Sequence, residues 1–251
     1  MARELLPGRR RVARYRLRDA SAIVSIRHHE RGPLEPSADA WILYEVLRSG
    51  DYDPPPPVAA ALAERREPLR VVDLGANLGI FTVLVLSRYP QARVTAFEPD
   101  QENAALLRAT LRRNQFDGNV NVVEACAHTA DGSLRFVGGE GCQSRVAFDE
   151  EGEDVPAIDV FPHLADVDLL KIDIEGAEWP LLADERFTEA GPGAIVLEYH
   201  SAGCPGDNAK REASHRLEEM GYEVHHPHPA AAPSEGPFWG AAVLWAHRGS
   251  G

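Results

Sequence analysis

The stretch VVDLGANLGIF, from Val71 to Phe81, decides the fold that we predict for this chain. Two valines end an apolar run, Asp73 follows, and Gly75 and Gly79 frame a turn before a second apolar run begins. This order is typical of a buried β-strand that passes through a tight turn into a buried α-helix. Glycine suits a backbone that passes close to a ligand, and the first N–H groups of a helix are free to bind one. The stretch therefore predicts a ligand-binding turn.

The spacing of the glycines indicates which ligand this turn binds. A dinucleotide site reads G-x-G-x-x-G, whereas this chain reads D-x-G-x-x-x-G. The next predicted strand, Arg93 to Phe97, is followed by Glu98, which lies 23 residues after Gly75. A carboxylate at that position can accept hydrogen bonds from both hydroxyls of a ribose. The pattern favours an adenosine ligand over NAD, and a tight turn without a ligand is the alternative.

Length and composition narrow the class of protein. The 251 residues, of which 44% are hydrophobic, suffice for one large α/β core, so we predict one main domain, residues 58–251, after an extension, residues 1–57. A net charge of −13 disfavours nucleic acid and anionic membranes as partners. No membrane-length apolar run, secretory leader or disulfide pattern is present. We expect a soluble, cytoplasmic protein.

The extension is predicted to contain a hairpin, a helix and a linker. Residues 12–18 alternate in polarity and residues 22–26 form a second short apolar run, which together indicate a hairpin. Ser37 is suited to cap a helix that ends before the next glycine. The run DYDPPPP, Asp51 to Pro57, is predicted to be a stiff linker across the surface. A short helix, Val58 to Glu67, leads into the central strand.

The rest of the chain repeats strand and helix. Further strands are predicted at Val120 to Ala127, Leu169 to Ile174 and Ala194 to His200, and an antiparallel edge pair at Tyr222 to His226 and Phe238 to His247. Alternating strands and helices predict a parallel sheet with right-handed crossovers. Ligands bind at the carboxyl ends of such strands.

Residues 134–159 break this alternation. Short β-like runs surround the glycine-rich segment 138–141 and an acidic run, Asp149 to Asp154. We predict a flap of hairpins in which residues 138–145 form a mobile lid. Closure of such a lid would exclude water from the reacting atoms.

Three segments give the chain a family resemblance. VVDLGANLGIF, AFEPDQENAALLRATLRRN and LLKIDIEGAEWPLL, with IVLEYH after them and LRSGDY before, resemble the FkbM family of S-adenosylmethionine-dependent methyltransferases. The resemblance covers the chain from Trp41 to the C-terminus. It implies the α/β class I (Rossmann-like) methyltransferase fold, with a seven-stranded, mostly parallel sheet, helices on both faces and an antiparallel last strand. It also implies O-methylation of a hydroxyl on a natural product or sugar.

The resemblance also assigns cofactor-binding residues by position. Asp73 belongs to the glycine motif. Gly75, Ala76, Asn77 and Gly79 would line the methionine and ribose, Glu98 would hold the ribose hydroxyls, and Ala127 with His128 would border the adenine. The residues that recognise the acceptor match the family weakly.

The catalytic residues are predicted from the ends of two neighbouring strands. Asp173 ends the fourth strand, Glu175 follows it, and His200 ends the fifth. Adjacent strands lie roughly 4.8 Å apart, so these side chains can reach one pocket. An alcohol must lose its proton to attack, and an unperturbed histidine, with a pKa of about 6.5, can take it at neutral pH. We predict His200 as the base and assign no metal ligands. Asp173 could orient the histidine, contact the methionine ammonium of the cofactor, or hold the acceptor.

Alternatives to this assignment stay open. A divalent ion on Asp173, with Glu175 or His200, could instead activate the acceptor oxygen, or His200 could be purely structural. The rival functions are an NAD-dependent oxidoreductase and a non-catalytic methyltransferase-fold binding protein. We expect a small-molecule acceptor and leave the oligomeric state open, with a dimer as one option.

Two further features are given structural interpretations. The run HHPHP contains His225, His226 and His228 without a cysteine or carboxylate at ligand spacing, so we interpret it as a polar surface loop rather than a metal site. Lys171 lies within an apolar strand and is predicted to pair with a neighbouring carboxylate.

Overall fold

A computed structural model describes residues 11–17, 22–28, 39, 42–43, 46–47, 49–65, 68–138, 145–146, 152–227 and 241–249. The strands are β1 (Arg11–Arg16), β2 (Ile23–His28), β3 (Arg70–Leu74), β4 (Arg93–Phe97), β5 (Val120–Val123), β6 (Cys126–His128), β7 (Gly132–Val137), β8 (Arg145–Val146), β9 (Glu153–Asp159), β10 (Leu169–Ile172), β11 (Ala194–His200), β12 (Glu223–His225) and β13 (Ala241–His247). The helices are α1 (Pro56–Ala63), α2 (Ile80–Arg88), α3 (Gln101–Asn114), α4 (Phe161–Leu164), α5 (Glu178–Ala183), α6 (Glu185–Ala190) and α7 (Ala209–Glu219). Most of the helix predicted after Ser37, and residues 139–144 of the predicted lid, lie outside the described residues.

Seven strands form the central sheet, in the order β12-β13-β11-β10-β3-β4-β5. The five strands from β11 to β5 run parallel to one another, whereas β13 is antiparallel to both β11 and β12. The prediction of a mostly parallel seven-stranded sheet with an antiparallel last strand is confirmed. The strand order reverses beside β3, because the chain continues to β4 on one side and returns to β10 on the other. Such a reversal opens a crevice at the carboxyl ends of the strands.

Both faces of the central sheet are covered. Successive side chains of a strand point to opposite faces, so Leu169 packs in one apolar cluster and Leu170 in the other. The same alternation separates Val71 from Val72 on β3. Strands buried on both faces have nearly continuous apolar sequences, and β3 and β10 each fit this pattern apart from isolated polar residues.

The N-terminal extension packs onto the main domain. The predicted hairpin is present, since β1 and β2 pair antiparallel, and Val24 and Ile26 join a cluster with Ile80 of α2. Arg27 is buried and donates to Asp39 and Asn103. The division of the chain at residue 57 stays a prediction.

The proline-rich run is not only a surface linker, which corrects the prediction. Tyr52 is buried at 5% exposure, and its hydroxyl donates to Glu198 at 2.7 Å. The indole N–H of Trp245 donates to the carbonyl of Asp51 at 2.8 Å. Helix α1 begins at Pro56, since proline suits the first helical position. These contacts fix the run against the sheet.

A second, four-stranded sheet has the order β6-β9-β7-β8. Strand β7 is antiparallel to β8 and β9, so the predicted flap of hairpins is confirmed. The predicted third strand, Val120 to Ala127, is wrong in part, because β5 ends at Val123 and β6 belongs to the flap sheet. The break follows from a tight turn in which the Ala125 N–H donates to the Val123 carbonyl at 3.1 Å. No helix in the described part of the chain is long and apolar enough to cross a membrane.

Candidate active site

The glycine turn after β3 is shaped by its close neighbours. Gly75 has a φ of +79°, and a Cβ there would overlap the carbonyl oxygen of Asp173. Gly79 has the same φ, and a Cβ would overlap the side chain of Leu107. Asn77 also adopts the left-handed region, with a φ of 50°. The turn therefore needs glycine at two positions, because only glycine adopts this backbone without strain and fits the space.

The side chain of Lys171 binds the glycine turn and two neighbouring carboxylates. Its ammonium, buried at 4% side-chain exposure, donates to the Gly75 carbonyl at 2.7 Å and pairs with Asp173 at 3.1 Å and Asp73 at 3.4 Å. Asp73 also accepts from the Thr82 hydroxyl at 2.6 Å. Burial lowers the pKa of Lys171, but Asp173 and Asp73 outweigh it and raise the pKa overall. The predicted carboxylate pairing of Lys171 is confirmed.

Glu98 lies in the cleft beside this turn. It accepts from the backbone N–H groups of Asn77 at 2.6 Å and Asp100 at 3.0 Å, and from the Asn103 side chain at 3.3 Å. Burial raises the pKa of Glu98 to about 7, against the opposing effect of these hydrogen bonds. Each carboxylate oxygen can accept more than one hydrogen bond, so ribose hydroxyls could bind there as well.

A cleft of about 570 Å³, including its open mouth, lies at the carboxyl ends of the strands. Of the side chains and turn residues predicted from the sequence, Gly75, Asn77, Glu98, Ala127, Asp173 and Glu175 line it. Asp73, Ala76, Gly79, His128 and His200 are not part of its lining. The lining residues that sequence reasoning missed include Phe97, Asn103, Ala125, Cys126 and Phe136. No local signal in the sequence indicates Ala125 and Cys126, because VNVVEACA is compatible with one continuous strand.

Glu178 connects the loop after β10 to the end of β11. One oxygen of this fully buried carboxylate accepts from the Gly176 N–H at 2.8 Å. The other accepts from the His200 N–H at 2.7 Å and lies 3.2 Å from His200 Nδ1. The Trp179 indole donates to the carbonyls of His200 and Ala202, at 3.1 and 2.9 Å. His200 is therefore fixed in position and orientation.

Three carboxylates surround the His200 ring. Beyond Glu178 on Nδ1, Nε2 lies 3.4 Å from Glu175 and 3.8 Å from Glu198. Burial lowers the pKa of His200, but the hydrogen bond with Glu178 and the charges of Glu198 and Glu175 raise it to about 10. A histidine that already holds a proton at neutral pH cannot accept another. The geometry thus argues against His200 as the base that the sequence predicts.

The neighbouring carboxylates are better suited to take a proton. Burial, followed by the charge of Asp173, raises the pKa of Glu175 to about 8 and that of Glu198 to about 7. Glu175 lines the cleft, whereas Glu198 is held by the Tyr52 hydroxyl. Sequence reasoning missed Glu198, although it lies two residues before His200 and so points to the same face of β11.

The same side chains could bind a metal ion. One ligand atom from each of Asp173, Glu175 and His200 lies within 4.8 Å of the others. These three residues therefore form a ligand set for the divalent ion considered above. Such an ion would compete with the Lys171 ammonium for the Asp173 carboxylate.

Comparison with known proteins identifies the family. Residues 73–224 match the model of the "Methyltransferase FkbM domain". The chain belongs to the FkbM family of S-adenosylmethionine-dependent methyltransferases. "Methyltransferase sdnD" of Sordaria araneosa is 24% identical over 206 residues, which cover 66% of this chain and 78% of that protein. "Methyltransferase 1" of Beauveria bassiana is 27% identical over 200 residues, which cover 66% and 76%.

A solved FkbM-family structure has the same fold. The FkbM methyltransferase from Methylobacillus flagellatus superposes with a TM-score of 0.51 at 18% identity, over 74% of this chain and 45% of that one. The cleft fits the cofactor of the family, S-adenosylmethionine. Glu98 lines this cleft beside the glycine turn, and the buried Asn77 Oδ1 has no hydrogen-bond partner among the described residues. Phe97 and Ala127 supply an apolar wall.

Proposed function

We propose that this FkbM-family protein transfers a methyl group from S-adenosylmethionine to a hydroxyl oxygen of a small natural product or a sugar-containing molecule. The observation that carries the proposal is Glu175, a cleft-lining carboxylate whose pKa is raised to about 8. An alcohol needs a base to remove its proton, and a base works best when its pKa lies near the working pH. The fungal relatives, both named methyltransferases, are compatible with such an acceptor.

The cofactor would bind across the glycine turn. We assign the ribose hydroxyls to Glu98, the methionine and ribose to Gly75 and Asn77 of the turn, and the adenine border to Ala127. Ala76, Gly79 and His128 lie outside the cleft lining and are assigned no direct contact. Asp73 supports the turn through Lys171. When bound, S-adenosylmethionine supplies an electrophilic methyl group on a sulfonium.

The chain would supply alignment and a proton acceptor. The Glu175 carboxylate would take the proton of the acceptor hydroxyl, which leaves the acceptor oxygen ready to accept the methyl group that the bound cofactor would supply. His200, 3.4 Å away, stabilises the ionised form of Glu175 by its positive charge. Asp173, fixed by Lys171, positions the acceptor. Glu178 positions His200.

The shape of the cleft supports a small molecule as the methyl acceptor. A concave cleft lined by apolar side chains and a few polar groups is typical of a small-ligand site. We place the reaction in the cytoplasm, because Cys126 and Cys204 are free thiols and free thiols are typical of a reducing compartment.

Single-turnover methyl transfer tests the base. Acceptors would first be found by following S-adenosylhomocysteine formation across a panel of hydroxylated natural products and glycosides. Glu175→Gln should then lower the rate by about 10²- to 10⁴-fold, the usual contribution of a general base. The exposed Glu189→Gln is the matched control. A wild-type rate in Glu175→Gln would refute the base assignment.

Metal-assisted transfer is the second candidate, favoured by the convergence of Asp173, Glu175 and His200. The same assay with EDTA separates the two mechanisms. Activity that EDTA abolishes and Mg²⁺ or Mn²⁺ restores would support the metal. Activity that EDTA leaves unchanged supports the base, in which case His200→Ala and Asp173→Asn lower the rate through positioning and charge.

A further inference from the structure

A second group of metal-ligating side chains lies at the edge of the central sheet. Glu223 of β12 pairs directly with His247 of β13. Glu223 and His225 are two residues apart on β12, so their side chains point to the same face as His247. The strand register thus brings together two imidazoles and a carboxylate that are separated by up to 24 residues in sequence.

The distances within this group match those of a metal site. His225 Nε2 lies 3.1 Å from His247 Nδ1 and 3.6 Å from a carboxylate oxygen of Glu223, and the three ligand atoms lie within 4.8 Å of one another. In a tetrahedral site with zinc–ligand bonds of about 2.0 to 2.2 Å, two ligand atoms are about 3.3 to 3.6 Å apart. The two nitrogens need to move by only a few tenths of an ångström.

The burial of the three residues favours a partly preformed site. His247 is 7% exposed and the His225 side chain 19% exposed, so the sheet holds both rings. The ring centroids are 5.1 Å apart and the rings are tilted by 32°. The Glu223 side chain is 66% exposed, and can rotate to complete the ligand set while leaving a position for water.

We propose that Glu223, His225 and His247 bind a divalent transition-metal ion, for which zinc is the best match. Two imidazoles and one carboxylate suit zinc, cobalt or nickel, whereas Mg²⁺ and Ca²⁺ prefer oxygen ligands alone. The interpretation of HHPHP as a polar surface loop overlooked Glu223, which lies two residues before His225, and the strand register adds His247.

The position of the site indicates a structural role. His247 pairs with Ala194 at the start of β11, whereas His200 at the end of β11 pairs with Ala241. Six residue steps of strand, about 20 Å, therefore separate the edge site from the proposed active site. Strand β12 has three residues and pairs with β13 alone among the described strands, so an ion bridging β12 and β13 would fix this short edge strand.

Metal titration of the full chain tests the proposal. After EDTA treatment and dialysis, Zn²⁺ binding would be measured by calorimetry, and the Co²⁺ form by its visible absorption, which is intense in four-coordinate sites. The wild type should bind Zn²⁺ at this site and show a raised melting temperature, without an equivalent effect of Mg²⁺. Loss of a residue that only supports a ligand from the outer sphere costs about 10- to 100-fold in metal affinity. His225 is proposed to bind the ion directly, so His225→Gln should weaken Zn²⁺ binding by about 100-fold or more.

Variants separate this site from other candidates. The exposed Glu223→Gln should fold normally and weaken binding, and His247→Gln should abolish the cobalt spectrum. The surface control His215→Gln, which alters an exposed ring paired with Glu219 on α7, should bind like the wild type. His200→Gln should keep the cobalt spectrum, because it alters only the active-site group. Zn²⁺ affinity in the wild type no higher than in His225→Gln, or a cobalt spectrum retained in His225→Gln, would overturn the proposal.

Discussion

Replacement of Lys171 by methionine should destabilise the protein strongly. The substitution keeps the apolar stem but removes the charge opposite Asp73, whose side chain is 0% exposed, and Asp173, whose side chain is 23% exposed. It also removes the donor to the Gly75 carbonyl. Breaking a buried ion pair by removing one partner costs about 3 to 5 kcal/mol. Because whole domains are stable by about 5 to 15 kcal/mol, Lys171→Met should lose a large part of the total.

Urea unfolding, followed by circular dichroism, measures this loss as a change in the free energy of unfolding. The chain has one other lysine, Lys210, so Lys210→Met is the matched control and should change stability by less than about 0.5 kcal/mol. Adding Asp73→Asn to Lys171→Met should recover part of the loss, because the two residues are in contact. A loss below about 1 kcal/mol in Lys171→Met would refute the argument that this ammonium holds the glycine turn.

Three further predictions concern the turn and the carboxylates. The pKa of Glu98 is raised to about 7, and the ribose contact that we propose needs its ionised form. The affinity for S-adenosylhomocysteine should therefore rise from pH 6 to pH 8 in calorimetry, and a flat profile would contradict this. Glu178→Gln removes the first partner of the His200 ring and should lower the pKa of His200, measured by NMR titration; an unchanged pKa would show that Glu178 does not hold the proton there. Gly75→Ala should lower the melting temperature markedly, because its Cβ has no space, whereas Gly118→Ala, with no atom near its Cβ, should not; equal melting temperatures would count against the close approach.

The sequence predicts much of this fold because local pattern and tertiary position agree. The residues of β3, β10 and β11 are mostly apolar, apart from single polar residues such as Lys171, since these strands are buried on both faces. The break between β5 and β6 is not visible in the sequence, because VNVVEACA remains compatible with one strand. The break depends on pairing of β6 with β9, about thirty residues later, which no local propensity encodes.

The sequence predicts those site residues whose location depends only on their position along a strand. Asp173 and His200 follow from the rule that carboxyl ends of adjacent parallel strands share an edge. The protonation of His200 was not predictable, because it depends on Glu178, Glu175 and Glu198 converging on one ring. The edge group of histidines was missed for the same reason, since register places residues together that sequence keeps apart.

Binding of S-adenosylhomocysteine by calorimetry at pH 8 tests the central claim most directly. The wild type should bind it in preference to NAD, and Glu98→Ala should lose about 1.5 to 3 kcal/mol, roughly 10- to 150-fold in affinity. Glu102→Ala, which removes a mostly exposed acid four residues away, should bind nearly as well as the wild type. Unchanged affinity in a folded Glu98→Ala variant, or tighter binding of NAD by the wild type, would contradict the cofactor site described for this protein.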